Sequence, residues 1–202
     1  MATQPASAPP RPRRPRGALP REVRIIGGQW KRTKLPVADK PGLRPTPDRV
    51  RETLFNWLDH DLSGWRCVDV FAGTGALGLE AASRGAADVV LVEQDADLVA
   101  QLRALQGKLD ASTVKVERGS GLAVLGRLAP ASVDLIFLDP PFDANVWDKA
   151  LAAAATAVTQ QGVIYLEAPV AWDDAALARF GLTRLRHLRA GAVHAHLLRR
   201  TA

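Results

Sequence analysis

One run constrains this chain more than any other: Val68-Asp69-Val70-Phe71-Ala72-Gly73-Thr74-Gly75-Ala76-Leu77-Gly78. It reads as an apolar strand, a glycine-rich turn and the start of a helix. Gly73, Gly75 and Gly78 have the G-x-G-x-x-G spacing of turns that hold a nucleoside cofactor. Glycine accepts a positive φ there and lets the main chain approach a ligand closely. Around this run, strand and helix patterns alternate. Strands are predicted at 67–71, 89–92, 114–116, 133–138 and 162–166, with helices at 76–83, 95–106, 120–128 and 146–158. Such alternation predicts a doubly wound parallel α/β sheet. Two last strands, 181–186 and 193–199, joined through Arg189-Ala190-Gly191, predict an antiparallel terminal hairpin and so a mixed seven-stranded sheet.

An acid, Glu93, closes the second strand, where its carboxylate can accept from the ribose hydroxyls of an adenosine. The loop fits NAD and S-adenosylmethionine alike. Asp69 favours the methyl donor, because a carboxylate attracts the ammonium of a methionine group and repels a pyrophosphate. The candidate cofactor residues are Asp69, Phe71, Gly73, Thr74, Gly75 and Glu93, with Ser120 and Gly121 beyond the third strand.

The strand at 133–138 ends in Asp139-Pro140-Pro141-Phe142. Open α/β sheets bind ligands at the carboxyl ends of their strands. Two prolines stiffen this turn and remove its N–H donors. What remains is an acceptor carboxylate (Asp139), an acceptor carbonyl (Pro140) and an aromatic face (Phe142). An exocyclic amine on a nucleobase offers the complement: two N–H donors on a planar ring. A methyltransferase acting on such an amine follows. An NAD-linked oxidoreductase lacks an evident acid–base residue, since His60, His187, His194 and His196 lie outside the motifs.

The net charge of +6 is unevenly placed. Residues 1–20 carry four arginines and no acid, and 21–57 carry a net +5, while the remaining 145 residues sum to −3. A basic segment beside an acidic remainder is the footprint of a nucleic-acid partner. Residues 1–20, rich in Pro and Arg, are expected to be a disordered tail. Residues 21–58 are expected to be an RNA-binding extension: a hairpin (23–26 and 29–34 about Gly27-Gly28), a Pro-rich loop, and a helix from Thr46 or Pro47 to about Leu58. Its candidate RNA contacts are Arg24, Trp30, Lys31, Arg32, Lys34, Arg44, Arg49 and Arg51. Residues 59–202 would form the catalytic domain. A single cysteine, Cys67, fits a reducing cytoplasm. No apolar run has the length of a membrane span.

The motifs Arg24-Ile25-Ile26-Gly27-Gly28, Gly42-Leu43-Arg44-Pro45-Thr46 and the eight residues from Arg49 to Asn56 resemble the bacterial 16S ribosomal RNA guanine-N2 methyltransferase family. So do the glycine loop, Glu93 and the Asp139–Phe142 tetrad. The resemblance implies a class I methyltransferase fold and S-adenosylmethionine as cofactor. It also implies, as partner, 16S rRNA within the 30S subunit or a late assembly intermediate, with no metal and a monomeric enzyme. Gly119-Ser120-Gly121 departs from the family where the adenine is held, and main-chain groups near Ser120 would replace a side chain. The alternatives are an adenine-N6 methyltransferase on DNA or RNA and a non-enzymatic RNA-binding assembly factor.

Overall fold

The structure, a computed structural model, describes residues 21–40, 43, 45–142 and 144–201. Its centre is a seven-stranded mixed sheet. The strands are β3 (Arg66–Asp69), β4 (Asp88–Glu93), β5 (Val114–Arg118), β6 (Val133–Leu138), β7 (Val158–Ala168), β8 (Leu182–Ala190) and β9 (Val193–Arg200). They run in the order β5-β4-β3-β6-β7-β9-β8, and all neighbours are parallel except at β9, which is antiparallel to both β7 and β8. This is the class I methyltransferase arrangement that the sequence predicts.

Both sheet faces are covered, as a parallel sheet requires. Helices α2 (Ala76–Ser83) and α3 (Ala96–Lys108) bury Leu79, Ala81, Leu102 and Leu105 against Leu91, Phe137 and Tyr165. On the other face, α4 (Gly121–Arg127) and α5 (Trp147–Ala157) pack Val124, Leu151 and Ala154 on Ile136, Leu138, Ile164 and Leu166. Asp95 caps α3 through the N–H groups of Asp97 and Leu98. A short helix, α6 (Asp174–Ala178), carries no sequence signal long enough to be foreseen.

Helix α1 (Asp48–Trp57) buries Val50, Leu54 and Phe55 in the cluster that contains α2. Val23, Ile25 and Leu35 join the same cluster, so the extension shares its core with the sheet. The amino-terminal hairpin differs from its prediction. It pairs β1 (Glu22–Arg24) with β2 (Lys34–Pro36), and residues 25–33 form a broad loop between them. The reason lies in α2. Glu80 accepts from the N–H of Ile26 at 2.6 Å and of Gly27 at 2.7 Å, and Ser83 takes those of Gln29 and Trp30. Main-chain donors that a tight hairpin would pair are bound to the helix instead. The terminal hairpin is also longer than predicted, and Gly191-Ala192 makes its turn.

Glu80 and Arg51 hold the extension down. Both side chains are wholly buried and lie 3.6 Å apart. Arg51 donates to Asp48 Oδ1, to the Arg24 carbonyl and to the Thr46 carbonyl, and Glu80 also accepts from Arg84. Removing Glu80 leaves the nearly buried Arg84 guanidinium without an acid and the N–H groups of Ile26 and Gly27 without their acceptor, while Arg51 keeps Asp48. Glu80→Ala should therefore lower the unfolding free energy by about 3–5 kcal/mol. Urea denaturation measures this, and a loss under about 1 kcal/mol would show that the docking does not depend on Glu80.

Candidate active site

Three acids end three adjacent strands. Asp69 closes β3, Asp139 follows β6, and Glu167 is the penultimate residue of β7. Among the described residues none of them has a cationic side chain within salt-bridge distance. Asp69 is 1% exposed, and its Oδ2 accepts from Gly78 N–H at 3.0 Å. Its Oδ1 is the single buried side-chain polar atom, among the described residues, that has no hydrogen-bond partner. Burial, reinforced by the charge of Glu93, pushes the Asp69 carboxyl up to about 7. The Asp139 carboxyl lies well above the usual range, through burial and then the nearby acids Glu167 and Asp69. Burial likewise raises Glu167, which accepts from Tyr165 OH at 2.7 Å. Three carboxyls thus face one place with more acceptors than donors, the arrangement that a cation or an N–H-rich group complements.

The tetrad turns out of β6 towards α5. Pro140 is buried, Pro141 is exposed, and Phe142 is one of two exposed large apolar side chains among the described residues. The glycine loop follows its prediction. Gly73 and Gly75 have φ of +50° and +78°, and Gly75 opens α2. A side chain at Gly78 would collide with Leu91, so this glycine lets the helix sit close to the sheet. Glu93 clasps the loop: its carboxylate accepts from the N–H groups of Gly73 (3.0 Å), Gln94 (2.8 Å) and Asp95 (2.8 Å). A carboxylate has about four acceptor positions. One further donor therefore fits without displacing these three, where the sequence suggested two ribose hydroxyls. Phe71 is half-buried and Thr74 buried. Gly121 is a packing glycine, since a Cβ there would lie 2.3 Å from the Val70 carbonyl oxygen, and Ser120 beside it is exposed.

Sequence reasoning missed how the extension crosses this edge. Lys40 binds Asp95 at 2.6 Å and Asp97 at 2.8 Å at the start of α3. Leu43 lies over Gly73, and the Thr46 hydroxyl reaches Asp139 Oδ2 at 3.3 Å. Thr46 was visible within a motif, but its contact spans 93 residues. Glu167 was visible as an acid at a strand end. Only the strand order brings it beside Asp139.

The basic residues divide into groups. Arg51 is fully buried and bonded internally, so it cannot serve as an RNA contact, in correction of the sequence reading. Arg24 and Lys34 are exposed but pair with Asp48 and Glu22. Trp30 packs partly against the core. Lys31, Arg32 and Arg49 are exposed and have no ion pair among the described residues. Lys31 and Arg32 adjoin the end of α2 remote from the glycine loop, roughly 12 Å away along the helix. Arg44 and the tail 1–20 lie outside the described residues.

The profile of a family described as "Conserved hypothetical protein 95" matches residues 23–199. The chain is 42% identical over 151 residues to Ribosomal RNA small subunit methyltransferase D of Escherichia coli, covering 74% of this chain and 76% of that protein. The Haemophilus influenzae protein of the same name is 44% identical over 134 residues, 65% and 69% of the two chains. This chain belongs to the ribosomal RNA small subunit methyltransferase D family. A solved Escherichia coli chain described as a methyltransferase, yhhF, superposes with a TM-score of 0.77 at 38% identity, covering 90% of this chain and 99% of that one.

The family implies S-adenosylmethionine, and the residues present fit it. The partnerless Asp69 Oδ1 suits an ammonium, Glu93 retains an acceptor position for a ribose hydroxyl, and the loop between them lacks Cβ atoms at Gly73 and Gly75. The raised acids also set a pH dependence. Between about pH 4 and 7 the folded protein holds protons on Asp69 that the unfolded chain has released, so stability falls as pH rises through that window. In Asp69→Asn the fall should be shallower by up to about 1.4 kcal/mol per pH unit. Urea unfolding of the ligand-free protein across this range measures both slopes, and equal slopes would exclude a proton on Asp69.

Proposed function

We propose that this protein transfers a methyl group from S-adenosylmethionine to the exocyclic N2 of a guanine in 16S rRNA, acting as a monomer on the small subunit or its late assembly intermediate. One observation carries the reading: the Asp139–Pro140 acceptors and the exposed Phe142 ring adjoin the cofactor-type loop in a relative of small-subunit rRNA methyltransferases. The choice of guanine N2 rests on the resemblance to that family. Adenine N6 is the second reading, because the same acceptors fit any exocyclic amine.

When bound, S-adenosylmethionine supplies an electrophilic methyl group on a cationic sulfur. The Phe142 face stacks on the base and fixes its plane. Asp139 and the Pro140 carbonyl take the two amine hydrogens, which turns the nitrogen lone pair away from the ring and towards the methyl. Thr46 restrains the Asp139 carboxyl through its hydroxyl. As positive charge moves onto the nitrogen, Asp139 and the neighbouring Glu167 favour that movement. Asp139 then accepts the proton that alkylation makes acidic. Cationic charge entering the cleft lowers the Asp139 carboxyl from its raised resting value and makes it available as an acceptor.

Asp139→Ala should fold, bind S-adenosylmethionine, and lose roughly thirty- to a thousand-fold in single-turnover methylation of 30S particles from a strain lacking the enzyme, about 2–4 kcal/mol. A near-normal rate would remove Asp139 from the chemistry. Mass spectrometry of the product decides between methylguanosine and methyladenosine. Glu93→Ala should weaken cofactor binding by about 1.5–3 kcal/mol in calorimetry while leaving RNA binding intact. Unchanged cofactor affinity would assign Glu93 to the loop alone.

A further inference from the structure

We propose that the β8–β9 hairpin is a second RNA-binding surface, placed to hold the phosphates that flank the target base. The inference rests on the rRNA reading above and adds a surface to it. Residues 182–202 contain five arginines, three histidines and no acid, while residues 58–181 sum to −8. The acidic remainder seen in the sequence is therefore two regions of opposite sign.

The topology gives this segment its place. β9 runs antiparallel to β7, with Glu167 opposite Ala195 and Ala168 opposite His194. The hairpin tip at Gly191 thus stands at the carboxyl edge of the sheet, level with the acid row. Neighbouring strands are about 4.8 Å apart, so β8 lies roughly 15 Å across the sheet from β6 and Asp139. By contrast, Lys31 and Arg32 adjoin the remote end of α2. The hairpin therefore brings its cations close to the cleft rim on a flank where the extension has none described.

The pairing also aligns the side chains. His187 opposite His196 and Arg189 opposite His194 share the face of Leu166, which is the face that α5 covers and towards which the Asp139–Phe142 turn leads. His187 and His194 stack at 5.2 Å, with Nε2 and Nδ1 3.0 Å apart, and present a flat polar surface beside Arg189. Arg186 and Arg189 are both exposed and straddle the hairpin: Arg189 lies with the histidines on the α5 face, and Arg186, opposite Leu197, lies on the face of Tyr165 and Glu167. Each donates only to a nearby main-chain carbonyl, Leu185 and Gly191 respectively, and neither has an acid within salt-bridge distance among the described residues. Arg184 is different: it holds the Trp172 carbonyl at 3.1 Å and belongs to the framework. A base drawn into the cleft brings its flanking phosphates to the rim of a region whose residues 58–181 sum to −8, which repels them. Arginines on that rim offset the repulsion and suit phosphate oxygens.

The test is the double variant Arg186→Gln/Arg189→Gln, assayed for binding to 30S particles from a strain lacking the enzyme. Its affinity should fall about ten-fold at roughly 0.1 M salt, and the slope of log affinity against log salt should flatten by about 1.5–2, as two phosphate contacts require. Thermal unfolding and S-adenosylmethionine affinity should match wild type, and methylation at saturating 30S should keep its rate while the 30S concentration needed rises. Wild-type affinity and salt slope in the double variant would overturn the hairpin surface. A wild-type protein that binds no 30S particle would instead overturn the rRNA reading, so the two failures are separable. A single-residue control, Arg199→Gln at the opposite end of β9, should leave the slope unchanged. Equal flattening by that control would show a diffuse charge effect and refute a localised surface.

Discussion

Arg51 and Glu80 form a buried ion pair on which the geometry of the cleft depends. Such pairs contribute modestly to net stability because both charges must leave water, but removing either partner is costly. Here each charge is further satisfied by main-chain groups: Arg51 by the carbonyls of Arg24 and Thr46, Glu80 by the N–H groups of Ile26 and Gly27. The pair therefore fixes backbone at both ends of a long excursion. Between those ends, Lys40 ties the chain to α3, Leu43 covers the glycine loop and Thr46 meets Asp139. The extension is thereby a wall of the cleft as well as a carrier of positive charge.

The cleft gathers negative charge for a chemical reason. In the proposed reaction, methyl transfer from a sulfonium to an amine moves positive charge across the site, and the carboxyls at three adjacent strand ends, Asp69 and Glu167 buried and Asp139 half-buried, favour a cation throughout that path. Without a ligand the same carboxyls repel one another and are desolvated, which is why Asp69, Asp139 and Glu167 all lie above their ordinary values. A cationic ligand offsets that repulsion. An RNA partner meets the opposite problem, since its phosphates face an acidic rim. The β8–β9 hairpin, proposed above as the surface for those phosphates, carries exposed arginines near that edge.

Much of this was legible in the chain. The strand–glycine-turn–helix run, the alternation of strands and helices, Glu93 and the Asp139–Phe142 tetrad depend on local spacing and on short-range backbone preferences, so they can be read in order along the sequence. The position of the tetrad at a strand's carboxyl end follows from the same pattern. Arg51 was misread for an instructive reason. An arginine in a basic, helix-forming segment looks like an exposed cation, and nothing within a few residues reveals that Glu80 lies across the core from it.

What the tertiary structure decided are the contacts between distant residues. Strand order set Glu167 beside Asp139, the antiparallel return of β9 raised the basic hairpin to the level of the cleft, and docking on α2 opened the predicted tight hairpin into a loop. Each involves groups tens of residues apart, joined by burial and hydrogen bonding that no local pattern encodes. The sequence by itself determined the class of fold, the glycine turn and the place of the Asp139–Phe142 tetrad at a strand end, because those are properties of short segments. Which acids share a cleft, which cations reach its rim and which are buried beneath it were settled only when the chain closed on itself.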